Sequence, residues 1–150
     1  MKDKPREKLL AKAAPYLSTG EPVRVTAFVN VGSVARGREA AKLAGMMMVS
    51  GIATGGLLAI GKYKKPRPMY TVVTDRQMLL FSATGLGQPG EFEAALPLNG
   101  LALVETKGAV ALVVVLAIAG ADDNLQVQFP LPSKAEGKVF VTLIPPLPPS

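Results

Sequence analysis

The chain has 150 residues, enough for one domain with a buried core, and 49% of them are hydrophobic but only 5% aromatic, so that core is mostly aliphatic. It contains neither Cys nor His, which excludes disulfides, thiol chemistry and Ser-His nucleophiles, removes the commonest neutral metal ligand, and fits a reducing compartment. The net charge of +6 is uneven: residues 1–75 hold 13 Lys or Arg against 5 acidic groups, and residues 76–150 hold 4 against 6. A basic half of this kind either meets anionic partners or is simply solvated. The scarcity of aromatics to stack on bases argues against nucleic acid as a partner.

In chain order, residues 3–17 have the spacing of a short amphipathic helix, with Leu9, Ala13 and Leu17 on one face and Pro15 near its end. The opening MKDKPREKLL mixes both charge signs, and LLAKAAPYL is interrupted by Lys12 and Pro15. No secretory signal is read there, and a cytoplasmic setting is expected. STGEP, 18–22, is a turn. Residues 23–31 alternate as a strand, with Val23, Val25, Ala27, Val29 and Val31 assigned to one face.

Residues 37–67 form an unusual insertion. It begins with helix-forming residues and becomes LAGMMMVSGIATGGLLAIG, 43–61, nineteen residues without a charge, followed directly by KYKKPR, 62–67. Pro66 and Pro68 end it. The next run, YTVVTDRQMLLFS, reads as a hairpin: Tyr70–Thr74 and Gln77–Ser82 flank Asp75 and Arg76, and Thr74, Asp75 and Arg76 are assigned a structural turn role, with Asp75 bonding the backbone. TGLGQPG, 84–90, is a flexible loop, and EFEAAL is a short strand that Pro97 confines to an edge or a strand end.

Residues 101–120 read as a second hairpin turning at Lys107-Gly108, and LQVQF, 125–129, as another alternating strand. Ser133 and Glu136 have capping-box spacing at the start of a terminal helix. That helix is expected to run to about Ile144 with Val139, Phe140, Leu143 and Ile144 on its apolar face. PPLPPS, 145–150, closes the chain as a disordered, polyproline-like tail. The order predicts one mainly β (α+β) domain over 1–150, an antiparallel barrel or sandwich with a helix plugging one end.

With these motifs in hand, the chain resembles the bacterial PH-like domains. The resemblance rests on GEPVRV at 20–25, YTVVTDRQMLLF at 70–81 and LPLNGL at 96–101. Gln77 departs from the second Arg often found there. The resemblance implies a PH-like barrel with a C-terminal capping helix, used as a binding or membrane-associated module rather than an enzyme, and brings no conserved ligand site; no cofactor or metal is expected from the residues.

Other constellations are weaker. GLGQPG, Gly85 to Gly90, formally matches a nucleotide-binding glycine pattern, but no crossover helix follows it. Asp122 and Asp123 share a short turn, and Glu91 and Glu93 a strand edge, so solvation accounts for them better than catalysis or calcium. Lys62, Lys64, Lys65 and Arg67 can contact an anionic surface.

The apolar run is about 28 Å long as a helix, near a bilayer's hydrocarbon thickness, and one reading is a small integral membrane protein spanning at 43–61. A span would, however, put the strand at 23–31 and the hairpin at 70–82 in different compartments. The favoured reading is a packed helical insertion on the non-alternating stretch 110–119 or on a second copy. Met46, Met47, Met48, Gly51, Ile52, Gly55, Leu57 and Leu58 are then the contact residues, and the implied partners are a second copy, another protein or an anionic membrane surface.

Overall fold

Alternation along the first strand decides which way each half of the sheet faces. β1 (Val23–Val34) buries Val25, Ala27, Val29 and Val31 on one side, and the intervening residues point the other way. The computed structural model of the chain describes residues 3–34, 66–121 and 123–146. It comprises α1 (Asp3–Ala13), β1, β2 (Arg67–Thr74), β3 (Gln77–Ala83), β4 (Pro89–Pro97), β5 (Leu101–Lys107), β6 (Leu112–Ile118), β7 (Asn124–Phe129) and α2 (Lys134–Leu143). The strands form a seven-stranded antiparallel sheet in the order β4-β3-β2-β1-β7-β6-β5.

Alternate residues of the strands fill a main core, with Val29, Met69, Leu80, Leu96, Leu116 and Phe129 all at 0% exposure. α2 closes it. Phe140 packs against Phe129 with ring centroids 5.5 Å apart, and Gly137 lets the helix approach, because a Cβ there would fall 2.7 Å from the Phe129 ring. A second cluster lies on the opposite face of β2–β4, where Leu9 and Ala13 of α1 cover Tyr70, Val72, Leu79 and Phe81, with Leu17 packed against them.

Several expectations need correction. Val23 packs against the α1 cluster rather than the main core, because the β1–β2 register shifts between Val23 and Val25. Pro68 does not end the insertion; it sits inside β2 opposite Asn30, one residue beyond the β3 ladder that starts at Met69↔Ser82. The capping box is not made: Leu131–Ser133 is a 3-10 turn leading straight into α2, and Ser133 at φ −108°, ψ 11° lacks the extended backbone that lets a hydroxyl cap. On α2 the buried positions are Gly137 and Phe140, and Val139 is 45% exposed, about 100° round the helix from Phe140. The proline tail does not start out free, since the Leu103 N–H donates to Pro145 O at 2.8 Å and Pro146 bridges Leu103.

Candidate functional site

The motifs that carry the family resemblance meet at one corner of the sheet. Glu21 lies at the end of the Ser18–Glu21 turn, where its Oε1 accepts from the Ser18 N–H at 3.0 Å. Its Oε2 accepts from the Thr74 hydroxyl at 2.5 Å and from Gln77 Nε2 at 3.1 Å. Gln77 Nε2 also reaches Tyr16 O at 2.9 Å. Burial alone would raise the Glu21 pKa, but the bonds from Thr74, the Ser18 backbone and Gln77, with the charge of Arg76, outweigh it and hold it below the usual 4.5.

Thr74, rather than Asp75, closes the β2–β3 turn. Its Oγ1 accepts from the backbone N–H of Arg76 at 3.0 Å and of Gln77 at 3.1 Å. The same turn offers Arg76 O to the Leu98 N–H at 2.9 Å, which ties in LPLNGL, and Leu96, Leu98 and Leu101 all enter the main core. The side chains of Glu21, Thr74 and Gln77 are used on one another. These bonds hold three chain turns together.

The opposite end of the sheet is different. Val34 pairs with Asn124 and Val31 with Arg67, so β1 ends and β2 begins at the same end of the sheet. Because Met69 pairs with Ser82, the turn after β3 lies at this same end. That turn is closed by the Thr84 N–H to Gln88 O at 2.8 Å, the Tyr70 hydroxyl donates to Gly87 O, and Leu86 at its tip is 90% exposed. Burial pushes the Tyr70 pKa above the usual 10.0. The segment GLGQPG is therefore a hairpin turn with strand, not helix, after it.

Of the cationic residues singled out by sequence, Arg67 is 41% exposed and lies 3.5 Å from Glu93, whose side chain is 15% exposed. Glu93 is thus an ion-pair partner and not merely a solvated edge residue. Lys62, Lys64, Lys65, Met46, Met47, Met48, Gly51, Ile52, Gly55, Leu57 and Leu58 lie outside the described residues. Among the described residues, no group of acidic side chains could hold a metal, and no helix is long and apolar enough to cross a membrane.

One surface feature was not legible in the sequence. Tyr16 and Phe92 stack face to face with centroids 4.0 Å apart, and both stand edge-on to Phe81. These residues come from the end of α1's extension, from β4 and from β3, and only the sheet register brings them together.

No family model matches the chain, and no curated protein matches it. Among solved structures it is similar to one of Vav1 inhibited by an allosteric inhibitor, with a TM-score of 0.51 and 10% identity over 93% of this chain. A second, concerned with the structural role of the PH and C1 domains of the Vav1 exchange factor, gives a TM-score of 0.51 and 11% identity over 94%. The chain spans about a third of the length of either, at 33%. The fold is PH-like: a seven-stranded antiparallel sheet with a C-terminal helix.

Proposed function

We propose that this chain is a non-catalytic binding module of the bacterial PH-like type, which docks to an anionic membrane surface through the insertion end of its sheet. The observation that supports this reading is the β1–β2 register: it puts the end of β1 and the start of β2 at one end of the sheet, the end that carries the exposed Leu86. The basic run 62–67 holds four positive charges in six residues. Lys62, Lys64 and Lys65 would each add about 1 kcal/mol near an anionic headgroup layer, Arg67 being paired with Glu93. Leu86 exposes an apolar side chain at the sheet end where β1 stops and β2 starts. The absence of His and Cys and the structural use of Glu21 and Glu93 favour binding over catalysis. The lack of Cys suits a cytoplasmic setting.

A single crossing at 43–61 fits poorly, because β1 and β2 on either side of it are hydrogen-bonded neighbours in one sheet. Flotation of the purified chain with vesicles tests the reading. Binding to phosphatidylcholine vesicles containing phosphatidylserine, absent from phosphatidylcholine alone and weakened by salt, is expected. Equal binding to both compositions, or none to either, contradicts it. Light scattering of the same sample separates self-association, the other role open to residues 43–60.

A further inference from the structure

β5 ends the sheet order with β6 on one side, and among the described residues no further strand flanks its other side. A bare strand edge offers unpaired N–H and C=O groups to any strand that meets it. Part of this edge is in use. The Leu103 N–H donates to Pro145 O at 2.8 Å, and Leu103 forms a parallel bridge with Pro146.

The sequence explains how the segment arrives there. A residue that precedes proline is driven out of the helical region, and Ile144 leaves α2 with extended backbone at φ −98°, ψ 129°. Its side chain is 5% exposed in the main core, and Leu103 packs against the same cluster. Ile144 is therefore an anchor placed one residue before the carbonyl that meets β5. In a parallel bridge where Leu103 is the donor, the backbone N and C=O of its partner point away from β5. That partner is Pro146, which has no N–H to offer a further strand.

The rest of β5 is protected in another way. Its register against β6 shifts between Leu103 and Glu105, and Lys107 and Glu105 stand 3.6 Å apart with side chains 57% and 54% exposed. Irregular pairing and charge both discourage edge-to-edge contact. The apolar stretch Leu101–Leu103 has neither device, and the proline segment lies beside it. We infer that Pro145 and Pro146 are a strap that closes the β5 edge against β5 of a second copy. Without the strap, the seven residues Leu101–Lys107 can pair antiparallel with their own copy about Val104. The strap acts at β5 and is separate from the docking proposed for the insertion end.

The full chain is compared with a variant lacking residues 145–150. In dilute protein, the Leu103 amide should exchange at least roughly tenfold slower in the full chain, because its acceptor is present there. Equal exchange means that the strap is not seated, and overturns the inference. Light scattering over a concentration series should then show the variant gaining mass toward a dimer more steeply than the full chain. Identical curves overturn the inference as well. Adding Val104→Lys to the variant sets two like charges opposite each other in the proposed pair, and should return its mass to that of the full chain. A mass gain that survives Val104→Lys lies elsewhere on the molecule and refutes pairing through β5. If the shortened chain does not fold, Pro145→Gly combined with Pro146→Gly is read in the same way. Vesicle flotation reports on neither the Leu103 amide nor the β5 pairing, so the two proposals fail separately.

Discussion

Thr74 donates its hydroxyl hydrogen to Glu21 Oε2 at 2.5 Å across 53 positions of sequence, and accepts from two backbone N–H groups of its own turn. One side chain therefore joins the turn after α1 to the β2–β3 hairpin. Thr74 is fully buried at 0% exposure, so removing its oxygen leaves those donors without a partner. Thr74→Val should destabilise the fold by about 1–3 kcal/mol. A shift in urea midpoint corresponding to less than about 0.5 kcal/mol would contradict this role.

The same corner sets a pH dependence. The Glu21 carboxyl is depressed in the folded state, because bonds from Thr74, Ser18 and Gln77 and the charge of Arg76 outweigh its burial. A depressed carboxyl stabilises the fold above the usual 4.5, and that contribution is lost as pH falls through the lower folded value. Glu21→Gln should therefore be less stable than the parent at neutral pH, with the gap closing below about pH 4.5. A gap that stays constant down to acid pH would show that the charge is irrelevant.

Much of the frame was legible because periodicity reports burial directly. The alternation of Val25, Ala27, Val29 and Val31 gave β1 its face, and Leu9, Ala13 and Leu17 gave α1 its seat. The hairpin flanking Asp75 and Arg76 was legible from two β-rich runs. What escaped depends on register or on absent side chains. Gly137 carries no hydrophobic signal yet is buried where a Cβ would fall 2.7 Å from Phe129, while Val139, read as part of the apolar face, is 45% exposed. The Arg67–Glu93 pair and the Tyr16–Phe92 stack need strands to be aligned before their partners can be named.

Gly137→Ala provides a test of that close packing. Alanine is the better helix former by about 1 kcal/mol, yet its Cβ would fall 2.7 Å from the Phe129 ring and 2.9 Å from Leu112 Cδ2. Overpacking should win, with a net loss of about 1–3 kcal/mol in thermal or denaturant unfolding. A stabilised variant would mean that α2 sits farther from β7 than described.

The stacked rings are worth testing by a double-mutant cycle. Tyr16→Ala and Phe92→Ala should show a coupling of about 0.5–1.5 kcal/mol, the usual range for an aromatic pair. Additive effects would place the rings apart in solution.

Pairing of β1 with β2 bears on the kind of membrane contact the proposed docking would make. Since β1 ends and β2 begins at one end of one sheet, the proposed docking predicts a peripheral contact, with high salt or carbonate releasing the chain from membrane fractions. Release only by detergent would restore the spanning reading of 43–61.

Charge reversal in the basic run tests the proposed function most directly. Lys62→Glu, Lys64→Glu and Lys65→Glu are combined, leaving Arg67 with Glu93, and the variant is floated beside the parent with phosphatidylserine-containing vesicles. The parent should float and the variant should stay in the dense fraction while unfolding at the same denaturant midpoint. A variant that floats as well as the parent would contradict docking through residues 62–67.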